Sequence, residues 1–269
     1  MFPPDLPPVS NWPLYVHRVI AKWLSFFIFG LGATILTIIV LPIVRLIFHP
    51  RQRFQKYGRR CVSAALRFFV CVMHGLGIVN LEPDDRKKYR ALSSKIIVAN
   101  HPSLLDVVML FSLVPNADCI VNAYLNQHLL TGLVSQLYIL GSRDLDDILQ
   151  SCTESLKQGN CLLIFPEGTR TRRFRKSILK KGAARVALAS GCNIVPVHIG
   201  GTDKFGLGKK DPWVGFNPRE RYVYRLTMGP EISPEAHRHL PPPAAARTIT
   251  NEIAAFLFPA QEVTGIAHA

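Results

Sequence analysis

A run of 22 residues, Trp23 to Val44, carries no charged side chain. A helix needs about 20 consecutive apolar residues to cross the hydrocarbon core of a bilayer, so this run sets the first constraint on the fold. Lys22 and Arg45 bracket it, and Trp12, Tyr15 and Trp23 lie at its N-terminal end, where amphipathic rings suit the lipid–water interface. A cleaved signal peptide is the competing reading. Its apolar core is shorter, about 7–15 residues, and ends at small side chains. Here the run ends in LPIVRLIFHPRQR, bulky and then basic, which favours a retained anchor. Pro42 and the Gly30/Gly32 pair leave open a bent, re-entrant or interfacial hairpin instead of a straight span, because proline removes a helical hydrogen bond. Arg45, Arg51, Arg53, Lys56, Arg59 and Arg60 follow the run, against Arg18 and Lys22 before it. The positive-inside tendency then places the C-terminal part on the cytoplasmic face of the cell inner membrane.

The rest of the chain alternates between short β-branched apolar runs and helical patterns. KIIVAN, DCIVNA, NCLLIFPEG, NIVPVHIGG and RYVYRLTMGP read as strands. PSLLDVVMLFSLV, LDDILQSCTESLKQG, KGAARVALASG and PPPAAARTITNEIAAFLF read as helices, NQHLLTGLVSQLYIL as helical or mixed, and EPDDRKKYRALSS as a loop or short connection. Such alternation predicts an α/β fold, a mixed sheet flanked by helices with an N-terminal membrane-anchoring helix or helical hairpin. The expected divisions are an irregular N-terminus over 1–16, anchor and amphipathic helix over 17–79, the α/β domain over 80–260 and a tail over 261–269.

The net charge of +14 and pI near 9.8 suit anionic lipid, anionic substrate or nucleic acid. The apolar run favours the lipid surface, and no zinc-finger spacing or aromatic RNA-binding signature points to nucleic acid. The six cysteines are scattered without a C-x-x-C pair, which suits a reducing compartment and argues against a disulfide framework or a structural zinc.

NHPSLLD, residues 100–106, follows the KIIVA strand. Its H-x-x-x-x-D pattern is cheap: chance supplies roughly a third of a match in a chain of this composition. It occurs twice, at His101/Asp106 and His198/Asp203. In α/β sheets, reacting groups collect at the carboxyl ends of strands. Pro102 suits the first position of a helix, with His101 at the cap and Asp106 one turn in, folded back under the imidazole. An aspartate on one ring nitrogen fixes the tautomer and stabilises the imidazolium formed when the other takes a proton. That suits a general base acting on a hydroxyl that attacks an activated acyl group, with helix N-terminal N–H groups able to hold an oxyanion. The competing reading makes Asp106 a first-turn acid favoured by the helix dipole, with His101 incidental. His198 precedes Gly200 and Gly201, which read as a flexible turn.

In FPEGTRTRRFRKSILKKGAAR, Glu167 and Gly168 make a tight turn after an apolar strand. Arg170, Arg172, Arg173, Arg175, Lys176, Lys180 and Lys181 follow with no acid among them. A solvated basic loop would explain the charge. A strand running into a glycine turn with an arginine fork fits an anion site better.

Taken in order and at these separations, NHPSLLD, FPEGTR and IVPV resemble the lysophosphatidic-acid acyltransferase family of glycerolipid acyltransferases over roughly residues 90–230. LKKGAARVALASGCNIVPV continues the likeness without a gap. The resemblance implies transfer of an acyl group from acyl-CoA or acyl carrier protein to a lysophospholipid hydroxyl at a phospholipid membrane, first of all that of 1-acyl-sn-glycerol 3-phosphate, with no further cofactor and no metal. The alternatives are the same chemistry on another acceptor, such as a lyso-ornithine lipid, another lysophospholipid or a specialised bacterial lipid, and a non-enzymatic membrane protein that binds anionic lipid. It makes His101 the catalytic base and Asp106 its partner. It assigns Glu167, Gly168, Thr169 and Arg170 to the acceptor-binding block, Arg143 to the acceptor phosphate and Pro196 to the last block. Two departures lie where the acceptor head group is expected. QLYILGSR lacks the family's usual glycine ahead of Arg143, and VNAYLNQHL offers Asn122 and Tyr124 where a lysine is common.

Overall fold

The structure is a computed structural model that describes residues 8–121, 136–142, 144–170 and 178–259. It opens with α1 (Trp12–Ile35) and α2 (Leu41–Ile47), joined by a π-helical turn over Leu36–Val40 into one continuous helix of 36 residues. The helix starts at Trp12, inside the segment expected to be irregular. The Asn11 side chain accepts from Leu14 N at 3.0 Å, and Pro13 fits the first turn, where its missing N–H is no loss. Pro42 has no N–H to give back along the helix, and the wider π turn lies just ahead of it.

α3 (Arg51–Gly75) folds back along this helix. Phe29 lies 5.1 Å from Phe69 and the Arg45 guanidinium 5.1 Å from the Phe54 ring. The pair forms a helical hairpin that leaves Phe27, Leu31, Ile35, Ile38 and Ile43 exposed. Among the described residues, Trp12–Ile47 is the one helix long and apolar enough to cross a membrane.

The strands are β1 (Val79–Pro83), β2 (Ile96–Ala99), β3 (Ala117–Val121), β4 (Ile139–Leu140), β5 (Cys161–Ile164), β6 (Ile194–Gly201) and β7 (Tyr222–Met228). They form one sheet in the order β1-β7-β6-β2-β5-β3-β4. β2 is central and parallel to β5 and β6, while β7 runs antiparallel to β6 and carries β1 with it, so the sheet is mixed as expected. β1 falls in a stretch expected to be helix and loop. It is an edge strand ending in Glu82 and Pro83, where a missing ladder donor is tolerated.

Among the described residues, the other α-helices are α4 (Arg86–Ala91), α5 (Asp106–Leu113), α6 (Leu145–Lys157), α7 (Gly182–Ser190) and α8 (Pro242–Leu257). Alternate residues of β2 serve two cores. Ile97 and Ala99 join the cluster holding α3 and α5, and Ile96 and Val98 the cluster holding α6, α7 and α8. Burial on both faces explains why IIVA, residues 96–99, reads as unbroken apolar sequence.

The α3 helix is pinned to the sheet by a buried ion pair. Arg59 Nη2 lies 2.6 Å from Asp118 Oδ2, Arg59 Nε donates to Leu137 O, and Ser155 Oγ donates to the same carboxylate at 2.6 Å.

Candidate active site

The site forms where β2 and β5 end side by side. Past Ala99, the Asn100 side chain continues the ladder, accepting from Ile199 N at 2.7 Å and donating to Ile199 O at 3.0 Å. The chain then turns, and α5 begins at Asp106, not at Pro102 as expected. Ser103 closes the turn. Its N–H donates to Asp106 Oδ2 at 2.7 Å, its hydroxyl donates to Asp106 Oδ1 at 2.5 Å and accepts from Leu105 N at 3.2 Å. Leu104 N donates to Leu207 O at 3.0 Å. The N–H groups of Ser103, Leu104 and Leu105 are therefore used within the protein, which corrects the expectation that this turn offers them to an oxyanion.

His101 Nδ1 lies 2.8 Å from Asp106 Oδ2, with the carboxylate fully buried and the imidazole partly open. No hydrogen bond to the opposite nitrogen, Nε2, is formed among the described residues. Phe165 stacks on the imidazole with centroids 4.2 Å apart. Burial pushes the Asp106 carboxyl above the usual carboxylate range, against the pull of His101 and Ser103. Behind it, Tyr224 Oη lies 2.7 Å from Ser103 Oγ. The single Ser103 proton goes to Asp106, so the phenol is the donor here. Burial raises the Tyr224 pKa well above its ordinary value, which keeps that proton in place.

The second block folds against the first. Gly168 N donates to Phe165 O at 3.0 Å, and Gly168 takes φ +65°, a conformation that favours glycine. A Cβ there would lie 2.7 Å from Lys180 Nζ. Glu167 is buried, and its Oε1 accepts from the backbone N of His101 at 2.9 Å. The residue assigned to the acceptor block thus holds the backbone that carries the imidazole. Thr169 Oγ1 accepts from Lys209 Nζ at 2.8 Å, and Arg170 Nη1 donates to Leu207 O and Gly208 O at 3.1 and 3.3 Å. Arg143 lies outside the described residues, as do Asn122, Tyr124 and the basic segment 171–177.

The second H-x-x-x-x-D match is built differently. His198 lies within β6 and its Nδ1 donates to Leu257 O at 2.9 Å, while Asp203 Oδ1 accepts from Phe205 N at 2.7 Å. Gly200 and Gly201 stay in the strand, paired with Arg225 and Tyr224, and form no flexible turn.

Ser103, Phe165, Tyr224 and Lys204 were not singled out from sequence as site residues. Lys204 is buried, donates to Val223 O at 2.8 Å and to Thr202 O, and stands 4.7 Å over the Tyr224 ring. Burial pulls its pKa down to about 8, against the charges of Asp106, Asp203 and Glu220. Ser103 lies inside NHPSLLD and a hydroxyl two residues past the histidine was its signal. Tyr224 and Lys204 had none, since sheet order alone brings them here.

Residues 81–200 match the family model described as Acyltransferase. The chain is 29% identical over 185 residues to a chloroplastic 1-acyl-sn-glycerol-3-phosphate acyltransferase of Arabidopsis thaliana, covering 65% of this chain and 50% of that protein. It is 31% identical over 150 residues to the 1-acyl-sn-glycerol-3-phosphate acyltransferase of Helicobacter pylori, covering 52% of this chain and 62% of the relative. The chain therefore spans about half the length of the plant relative it matches. Among solved structures, the 1-acyl-sn-glycerophosphate acyltransferase PlsC of Thermotoga maritima superposes with a TM-score of 0.66, covering 92% of this chain and 99% of that one. At 17% identity that likeness shows a common fold, including the mixed sheet and the long N-terminal helix.

Proposed function

We propose that the chain is a member of the lysophosphatidic-acid acyltransferase (PlsC-like) family, a reading supported by the match of residues 81–200 to the Acyltransferase model and by the curated relatives, and that it moves a fatty acyl group from an acyl thioester to a lysophospholipid hydroxyl. The acceptor is 1-acyl-sn-glycerol 3-phosphate, the compound in the names of its curated relatives, and acylation of its free hydroxyl gives phosphatidic acid. The donor is acyl-CoA or acyl carrier protein, and no cofactor takes part.

In this reading His101 Nε2 takes the proton of the acceptor hydroxyl as its oxygen attacks the thioester carbonyl. Asp106, on Nδ1, stabilises the imidazolium that forms. The tetrahedral intermediate then collapses, the C–S bond breaks, and the imidazolium proton goes to the departing sulfur. The observation that carries the proposal is the 2.8 Å contact from His101 Nδ1 to a fully buried carboxylate whose two oxygens are also held by Ser103. A structural first-turn acid would not need a histidine and a serine turned onto it from outside the helix.

A specific observation favours a second acceptor reading. Arg170 Nη1 is committed to two backbone carbonyls, and Arg170 was expected, beside Arg143, in the block that binds the acceptor's anionic head group. The same chemistry on another lysolipid follows if the head group is held elsewhere. Thiol release by the purified chain, measured against a panel of lysolipids with both donors, decides between them. Release with no lysolipid in the panel would overturn the acyl-transfer reading itself.

The hairpin of α1, α2 and α3 holds the domain on the membrane by insertion of its exposed apolar side chains, with the site on the cytoplasmic face of the inner membrane. Burial of so much apolar surface outweighs the screened charge of the basic flank. Release of intact protein by a carbonate wash would contradict this.

A further inference from the structure

The loop from Phe205 to Asn217 joins the site to the N-terminal helix. On one side, Leu207 O accepts from Leu104 N and Arg170 Nη1, and Lys209 Nζ reaches Thr169 Oγ1. On the other, the buried side chain of Lys22, at the start of the uncharged run, donates to Trp213 O at 2.6 Å and to Gly215 O at 2.5 Å, with Gly206 O at 3.4 Å.

The loop is rigidly built. Asp211 Oδ2 accepts from Gly206 N and Gly208 N at 2.9 and 3.0 Å, and Gly215 N closes a turn on Pro212 O at 2.8 Å. Gly206, at φ +90°, presses so closely on Gly215 that a Cβ would fall 1.9 Å from the Gly215 carbonyl oxygen.

This frame holds two large apolar side chains out in the open: Trp213 is 65% exposed and Val214 64%. They are not an isolated patch. The Trp213 ring lies 6.2 Å from Trp23 and 6.5 Å from Phe26, and Trp23 and Phe27 are themselves exposed. The apolar surface of α1 therefore runs on without a break onto the loop tip, at the level where the charged end of the helix gives way to its uncharged run. A tryptophan in that position meets the lipid–water boundary with a ring suited to it.

We propose that the Trp213–Val214 tip is a second membrane-contacting element, entering the interfacial layer of a glycerophospholipid bilayer beside Trp23. The same loop then fixes the depth of the His101 site, because its Leu207 and Gly208 carbonyls hold the turn after His101 and the Arg170 side chain. Depth matters for an acceptor whose acyl chain stays in the bilayer and whose hydroxyl lies at its surface. The proposal rests on the membrane reading of the N-terminal hairpin.

The test uses the chain's three tryptophans, Trp12, Trp23 and Trp213. Two full-length variants are reconstituted in vesicles of equal parts phosphatidylcholine and phosphatidylglycerol, with and without bromine near the head-group end of the acyl chains. Trp12→Phe/Trp23→Phe keeps Trp213 as the sole emitter, and Trp12→Phe/Trp213→Phe keeps Trp23. The Trp213 emitter should lose at least about half its fluorescence to the brominated lipid and be shielded from aqueous iodide, as expected of an interfacial ring. Iodide access to Trp213 with bromolipid quenching of Trp23 overturns this proposal and leaves the anchor reading standing. Iodide access to both overturns the two together.

A kinetic arm asks whether the contact serves the reaction. Trp213→Ala should lose about tenfold in turnover of vesicle-borne lysolipid below saturation, the scale of a lost interfacial side chain, and stay within about twofold on a short-chain, water-dispersed acceptor. Equal losses on both acceptors would assign Trp213 a packing role and overturn the link between depth and reaction.

Discussion

Tyr224 of β7 touches Ser103 of the site turn at 2.7 Å although 121 residues separate them. The phenol donates to Ser103, Ser103 donates to Asp106, and Asp106 accepts from His101, so a line of three hydrogen bonds runs from the far strand to the proposed base. The orientation of the imidazole is therefore a property of the whole sheet and not of the NHPSLLD segment alone.

His101→Ala removes the proposed base and should lower turnover by about 10²–10⁴-fold while the protein stays folded. Asp106→Asn should fall by a similar or somewhat smaller factor, because the imidazole remains without its orienting carboxylate. His198→Ala, whose ring bonds the Leu257 carbonyl, should stay within about tenfold of the parent. Thiol release at saturating donor, with circular dichroism as folding control, reads all three. Near-normal turnover in His101→Ala, or an equal collapse in His198→Ala, sinks the assignment.

Ser103→Ala and Tyr224→Phe separate the two links behind Asp106. The serine change deletes one of the carboxylate's donors, a charge-assisted bond of about 1.5–3 kcal/mol, so kcat should drop about ten- to a hundredfold with the acceptor KM little changed. Tyr224→Phe keeps the ring and removes a neutral bond one step further away, and about two- to tenfold is expected. A larger loss in Tyr224→Phe than in Ser103→Ala would reverse the order of the line.

Arg170→Ala tests the acceptor block. If the remaining guanidinium donors meet a phosphate, kcat/KM for the acceptor should fall by about ten- to a hundredfold, with the thioester's constants much less affected. A rise confined to the thioester KM would remove Arg170 from acceptor binding and leave it as the strap onto Leu207 and Gly208.

Arg59→Leu leaves Asp118 buried in the sheet without its cation. Stripping one member from a buried pair costs about 3–5 kcal/mol, so denaturant unfolding in detergent should show a loss of that order. Arg59→Leu/Asp118→Asn should recover part of it, because no charge is then stranded. Equal stability of parent and Arg59→Leu would show that the pair does not hold α3 to the sheet.

Lys204 links stability to pH. Its folded pKa of about 8 lies below the unfolded value of 10.5, so the unfolded chain binds the extra proton between those limits. Stability from this group is absent below pH 8, grows as pH rises through that window and is complete above it. The unfolding free energy of the parent, measured against Lys204→Met, should therefore improve from pH 8 to 10. A difference independent of pH would mean that Lys204 titrates alike in both states.

What the sequence determined by itself was local. The uncharged run from Trp23 to Val44 needs no partner to become a helix, and the short IIVA and CLLI stretches are apolar enough to be central strands wherever they fall. His101 and Asp106 were legible as a pair because five residues and one turn suffice to join them. Tertiary structure decided what depended on distant segments meeting. It moved the start of α5 to Asp106, because the turn before it is held in a non-helical form by Leu104 N on the Leu207 carbonyl and by Ser103 N and Oγ on the Asp106 carboxylate. It turned Glu167 onto the His101 backbone, kept Gly200 and Gly201 in a strand, and made an edge strand of VNLEP, whose charge and proline hide it in isolation. A contact within one turn is fixed by bond geometry, which sequence spacing encodes. A contact such as Tyr224 to Ser103 depends on which strand lies beside which, and that is set only when the two buried faces of the sheet are packed together.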